Sequence, residues 1–225
     1  MSDSTIRDNL MRVRERIARA AARAGRDPSG ITLVCVSKTK PAELVREALE
    51  AGATDFGENY VQEAAQKVPL AGPGARWHMI GHLQTNKAAR AAELFHMIQS
   101  VDSVKLAGRL GRAARERGRI LDVLIEVNVA SEQTKSGAAP EEVPSVAEAV
   151  LREEGLRLLG VMGIPPFLAD PERVRPYFAA LREIFETLPP ANRRVLSMGM
   201  SADFEAAIAE GSTMVRIGTA VFGAR

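Results

Sequence analysis

The chain has 225 residues, with 30 Lys and Arg against 28 Asp and Glu, a formal charge of +2, 46% hydrophobic residues and 4% aromatic ones. That length allows one large domain or two small ones, and it buries a sizeable core unaided. Near-balanced charge and scarce aromatics exclude a basic nucleic-acid binder and a base-stacking platform, and the lone Cys35 excludes a disulfide framework or an all-cysteine zinc site.

Residues 1–25 repeat apolar side chains at Ile6, Leu10, Val13, Ile17 and Ala20, the 3.6-residue period of an amphipathic helix, and Gly25 is placed to end it. Its arginines fall mostly on the other face and read as a solvated surface. Asp3, Asp8 and Glu15 interrupt any apolar run, so the segment is neither a secretory signal nor a membrane span. No later stretch approaches the roughly 18 apolar residues of a transmembrane helix. A reducing cytoplasm is the expected compartment.

From Ile31 a strand-then-helix cycle begins. Ile31-Thr32-Leu33-Val34-Cys35-Val36 is a short β-branched run of the kind covered on both faces, Pro41 suits a first helical turn, and Leu44, Val45, Ala48 and Leu49 give one apolar face before Gly52. Further strands are expected at 54–57, 77–80, 97–100, 121–129, 156–161, 195–197 and 214–217. Helical patterns intervene, among them 104–117, 143–152, 171–188 and 204–209. Eight such cycles close a parallel (β/α)8 barrel of the TIM type, here with an extra N-terminal helix. An open doubly wound sheet is the rival, weakened by the lack of a Gly-x-Gly-x-x-Gly turn after the first strand. No Pro-, Gly- or Ser-rich linker divides the chain, so residues 1–225 are expected to form one domain.

In such a barrel the reactive groups stand at the C-terminal ends of the strands. Those positions read Lys38, Glu58, Asn59, His82, Ser100, Asp102, Asn128, Ser197, Gly218 and Thr219. Strand alternation puts Val34, Val36 and Lys38 on one face and Leu33, Cys35 and Ser37 on the other. If the valines fill the barrel, Lys38 enters its mouth, where a lysine amine can become a nucleophile toward aldehydes. Ser201, read as the N-cap of the following helix, joins Gly218 and Thr219 in the loops after strands seven and eight, the usual phosphate site of these barrels. Arg216 interrupts the apolar run Met214-Val215-Arg216-Ile217, and a buried guanidinium needs a partner, either a carboxylate or a ligand. An imine-forming lysine, a phosphate cradle and an inward arginine suit pyridoxal 5′-phosphate, with Arg216 facing the ring nitrogen and disfavouring its protonation. His78 reads as a core histidine, His78 and His82 lack a third metal ligand, Cys35 reads as core, and Lys135 lies on a loop that is a lid or simply solvated.

The segments Val36-Ser37-Lys38-Thr39-Lys40-Pro41, Phe56-Gly57-Glu58-Asn59-Tyr60, Trp77 to Lys87, Ser197 to Phe204 and Val215-Arg216-Ile217-Gly218-Thr219 resemble, in order, the motifs of the pyridoxal phosphate homeostasis proteins. The resemblance implies a single barrel similar to the N-terminal domain of alanine racemase. It also implies an aldimine on Lys38, phosphate held by Ser201, Gly218 and Thr219, Arg216 at the pyridine nitrogen and Asn59 near the ring. Ala91 departs from the larger aliphatic residue expected there, which touches helix packing rather than the site. The implied role is cofactor binding and supply, affecting vitamin B6 and amino-acid balance, without an established reaction. Apo forms of pyridoxal phosphate enzymes are the implied partners, and the chain is expected to act as a monomer.

Two alternatives stand beside this. An amino-acid racemase needs acid and base groups on both faces of the substrate carbon, for which Tyr60 and Tyr177 are the only tyrosines and no second domain is expected. A Schiff-base aldolase would share the lysine and phosphate site. In a closed barrel, strand one neighbours strand eight, and so short a reach from Lys38 to the phosphate loops favours one ring carrying both aldehyde and phosphate.

Overall fold

The computed structural model describes residues 5–130, 136–166, 168 and 170–223. Eight strands, β1 (Thr32–Val36), β2 (Asp55–Glu58), β3 (Arg76–Met79), β4 (Met97–Val101), β5 (Leu121–Val127), β6 (Leu156–Gly163), β7 (Val195–Ser197) and β8 (Met214–Ile217), form one closed parallel barrel in chain order. The helices are α1 (Ile6–Arg23), α2 (Ala42–Glu50), α3 (Val61–Ala71), α4 (Ala88–Leu94), α5 (Val104–Arg115), α6 (Val143–Arg152), α7 (Arg175–Thr187), α8 (Phe204–Ala209) and α9 (Thr219–Phe222). Closure is made by β1 and β8, with Val34 opposite Arg216, which rules out the open doubly wound sheet. Among the described residues no helix is long and apolar enough to cross a membrane.

Alternation divides each strand between two cores. Outward residues such as Cys35, Phe56, Trp77, Ile98, Val123, Val161, Leu196 and Val215 pack beneath the helices in the larger cluster. Inward Val34, Met97, Leu124, Met162 and Met214 form a separate small cluster inside the barrel. Other inward positions are polar, among them Asp55, His78, Gln99, Glu126, Ser197 and Arg216, and of these Glu126 and Arg216 reach the cavity at the C-terminal mouth.

Most strands and α5 have an end one or two residues from the sequence reading, and two of the boundary differences have identifiable reasons. β6 runs two residues past 161 and carries an irregularity against β5, where Val123 pairs with Leu158 and Leu124 with Gly160. Gly160 has φ 154° and a Cβ there would stand 1.9 Å from the Val195 carbonyl oxygen, so only glycine lets β7 approach. The helix expected from 171 opens instead as a 3-10 turn, Pro171–Val174, because Pro171 and Pro176 remove backbone donors at its start.

The leading helix packs against α2, α8 and α9. Thr5 caps it by a reciprocal capping box with Asp8, and Gly25, at φ 65°, turns the chain after it. Arg16 binds Glu205 through Nε at 2.9 Å and lies 4.6 Å over the Phe204 ring, fastening α1 to α8. Both side chains remain about a third exposed, so Arg16→Ala is expected to cost only about 1 kcal/mol and lower the melting temperature by roughly 2–4 °C in a thermal scan. Cys35, buried under the helices, has its thiol pushed up to about 12 by that burial. It is therefore expected to resist alkylation at pH 8 in the folded protein and to react on unfolding, as a mass-shift assay would read.

Candidate functional site

A cavity of about 480 Å³ opens at the C-terminal mouth of the barrel, within the size range of small-ligand sites. Lys38, Asn59, Ser201, Arg216, Gly218 and Thr219 all line it. Lys40 and His82 join them, and Glu126 is the carboxylate of the lining, so cations predominate and an anionic ligand is favoured.

Lys38 stands where strand parity places it, above Val34 and Val36, in a turn from Ser37 to Lys40 closed by the Lys40 N–H donating to Ser37 O at 3.0 Å. Thr39 in that turn has φ 63°, a left-handed conformation that a β-branched residue adopts only where its surroundings hold it. The hold is visible. Its N–H donates to Glu63 on α3, and the same helix sends in Lys67, buried to 5% exposure. The Lys67 ammonium donates to Ser37 O at 2.7 Å, Glu58 Oε1 at 2.6 Å and Glu63 Oε1 at 2.8 Å. Glu58 also accepts from the Ser37 hydroxyl at 2.7 Å. Burial pushes the Glu58 carboxyl above the usual carboxylate range, against the opposing bonds from Lys67 and Ser37. Glu58, expected at the mouth, in fact turns outward toward α3 and braces the lysine loop from behind.

Arg216 is inward and 3% exposed. Its guanidinium donates to Ser197 Oγ at 2.6 Å and to Gly163 O at 3.0 Å, and no carboxylate of the described residues forms an ion pair with it. Burial lowers its pKa to about 10, so it remains cationic at neutral pH. Glu126 and Asp203 supply the nearest opposing charge. The partner demanded by the sequence is therefore neutral on the protein side, and the cavity side of the guanidinium faces the space a ligand would take.

Ser201 is not a helix cap. Asp203 holds that position before α8, without a side-chain cap bond of its own, and its carboxylate instead accepts from the Met200 N–H at 2.7 Å. Gly199, at φ 95° with a Cβ that would stand 2.6 Å from the Ala207 side chain, turns β7 into this loop and leaves Ser201 at the cavity wall. Opposite it Gly218 lets the chain pass close to β1, since a Cβ would come within 3.2 Å of Val36 O. Gly81 does the same for Asn59: its Cβ would lie 2.5 Å from the Asn59 carbonyl oxygen.

Glu126 was not singled out from the sequence. It follows Asp122 and Leu124 on the inward face of β5, is 4% exposed, and accepts from the Ser136 hydroxyl at 2.8 Å while Oε2 has no hydrogen-bond partner among the described residues. Burial raises its pKa. The reasoning applied to Arg216, a charge inside an apolar strand, would have found it. Ser100 and Ser197, both buried, lie outside the cavity lining, while Asp102 pairs with His82 at 3.3 Å. His78 is a hydrogen-bonded interior residue, and among the described residues no group of three His, Cys, Asp or Glu is placed to hold a metal. Lys135 lies outside the described residues.

Residues 9–225 match the family described as alanine racemase, N-terminal domain. The chain is 50% identical over 223 residues to a pyridoxal phosphate homeostasis protein of Pseudomonas aeruginosa, covering 99% of this chain and 96% of that one. The chain belongs to the pyridoxal phosphate homeostasis protein family. A second member, from Escherichia coli K12, is 45% identical, covering 98% of this chain and 97% of its own. The structure of PipY of Synechococcus elongatus with PLP bound superimposes with a TM-score of 0.78 at 37% identity, covering 92% of this chain and 100% of that one. Homeostasis-family membership therefore rests on nearly the whole chain, and the five motifs that first suggested it surround the cavity.

Proposed function

We propose that this chain holds pyridoxal 5′-phosphate at the barrel mouth and serves intracellular vitamin B6 and amino-acid homeostasis. Lys38 takes the aldehyde carbon, Ser201 with the backbone at Gly218 and Thr219 takes the phosphate, Arg216 faces the ring nitrogen and Asn59 lies beside the ring. The observation that carries this reading is the meeting of Lys38, Arg216 and the Ser201 and Gly218 loops in one cation-rich cavity. Adjacent strands β1 and β8 bring the amine and the phosphate loops within reach of one small ring. The PLP bound to the related PipY supports the same ligand.

When bound, pyridoxal phosphate can act as an electron sink for carbanions. The residues here limit that use. A guanidinium that stays cationic at neutral pH would disfavour protonation of a ring nitrogen facing it, and would so limit that electron-sink chemistry. Tyr60 is 61% exposed, and neither it nor Tyr177 lines the cavity, so the racemase alternative finds no tyrosine acid or base in place. Custody of a reactive aldehyde, and its transfer to apo forms of pyridoxal phosphate enzymes in the cytoplasm, is the function these residues fit.

Equilibrium titration separates the phosphate arm from the aldehyde arm. Ser201→Ala is expected to weaken pyridoxal phosphate by about tenfold, the worth of a hydrogen bond to a charged group, and to leave pyridoxal, which lacks the phosphate, unaffected. An equal loss for both ligands would remove Ser201 from the phosphate site.

A further inference from the structure

Four buried or partly buried polar side chains, Asp55, His78, Gln99 and Ser197, lead from the N-terminal end of the barrel to Arg216. Asp55 begins β2, where it borders a separate depression beside Cys35, Thr32 and Arg14 at the end of the barrel away from the ligand cavity. Asp55 Oδ1 lies 2.9 Å from His78 Nε2 on β3, and His78 Nδ1 lies 3.0 Å from Gln99 Nε2 on β4. The Gln99 Oε1 then accepts from Ser197 Oγ at 2.7 Å, which crosses the barrel interior from β4 to β7. Ser197 Oγ accepts from Arg216 at 2.6 Å.

The chain has a direction. A guanidinium only donates, so Ser197 Oγ must accept from it, and its single proton goes to Gln99 Oε1. That fixes the amide so that Nε2 donates, with His78 Nδ1 accepting. The imidazole proton then sits on Nε2 and points at Asp55. Every donor faces the same way, from a fixed cation to a carboxylate. Burial draws the Asp55 carboxyl upward, but bonds from His78 and Thr54 and the nearby Arg76 hold it below its ordinary value, so the far end is anionic. His78, Gln99 and Ser197 are 1%, 0% and 0% exposed, in a space such barrels fill with branched apolar residues. Buried polar groups of this kind specify geometry only when every one is satisfied, and here each is.

We propose that Asp55, His78, Gln99 and Ser197 are positioning residues, a directed relay that fixes the Arg216 guanidinium at the cavity floor and ends on a carboxylate at the opposite end of the barrel. Among the described residues the Arg216 side chain has only neutral hydrogen-bond partners, Ser197 and Gly163, while the charges of Glu126 from β5 and Asp203 from the loop after β7 act on it without forming ion pairs. The proposal rests on the cofactor placement above for its consequence, though not for its existence.

Two readouts on the full chain keep those apart. In the ligand-free protein, the side-chain N–H resonances of Arg216, assigned by their loss in Arg216→Lys, are expected to exchange slowly with water. Asp55→Asn, Gln99→Leu and Ser197→Ala should each speed that exchange by about tenfold, the worth of one buried hydrogen bond. In protein loaded with pyridoxal phosphate, Asp55→Asn should leave the borohydride-trapped fraction unchanged. The pH midpoint of the bound cofactor's absorbance should move down by about half a unit, because losing a remote negative charge eases proton release. Unchanged Arg216 exchange in Asp55→Asn, whose side chain lies at the barrel rim and can be replaced without emptying the core, would overturn the relay. Altered exchange with no cofactor trapped even in the parent would keep the relay and reject the cofactor placement.

Discussion

Lys38→Ala is expected to abolish the borohydride-reducible absorption near the visible edge while the protein stays folded. The side chain projects from a turn at the cavity rather than from either core, so its removal leaves no packing defect of the kind that unfolds proteins. Pyridoxal phosphate should still bind weakly through Ser201, Gly218, Thr219 and Arg216, with affinity down by about a hundredfold, or roughly 2.7 kcal/mol. Loss of the band after dialysis together with an unshifted melting temperature is the expected pair of results. A fully retained, reducible band in the variant would place the aldehyde on another amine, and Lys40, which also borders the cavity, is the one to examine first.

Lys67→Met is expected to give the largest loss of stability of any single polar change considered. Lys67 and Glu58 are 5% and 0% exposed, and removing the ammonium leaves Glu58 buried beside a bare Ser37 carbonyl and a released Glu63. Breaking a buried ion pair by deleting one partner costs about 3–5 kcal/mol, which corresponds to a melting temperature lower by roughly 6–20 °C for a chain of this size. Burial already makes Glu58 reluctant to ionise, so the variant should recover part of the loss when the carboxyl is protonated. Its deficit in thermal melts is therefore expected to shrink as pH falls from neutral through the range above ordinary carboxylate values. Because Lys67 holds the carbonyl of the residue preceding Lys38, the same variant should also slow capture of the cofactor at that lysine. A destabilisation independent of pH would mean that Glu58 is not the group left unpaired.

How the sequence and the structure relate is clearest at β1 and β8. A strict two-residue alternation placed Lys38 and Arg216 correctly, because in a closed barrel inward and outward are decided by parity alone and the apolar neighbours reveal which is which. The barrel itself was legible for the same reason, with β7, β8, α6 and α8 read at the bounds the structure has. Ser201 was read as a cap because serine before an apolar run is the ordinary signal. Gly199 and the Asp203 bond to Met200 instead put Asp203 at the cap position and leave Ser201 at the cavity wall. Lys67 was invisible because a lysine in a helix with other polar residues normally faces water. Only the packing of α3 on β2 shows that it faces Glu58. The relay was hidden by a different cause. Its four members come from four strands, and no spacing within a single strand announces a bond from Gln99 to Ser197 across the barrel interior.

Borohydride reduction of the protein with bound pyridoxal phosphate, followed by digestion and mass mapping of the modified peptide, tests the central claim most directly. The account predicts a single modified site, Lys38, in stoichiometric yield. Modification spread over several lysines, or none at all, would contradict it.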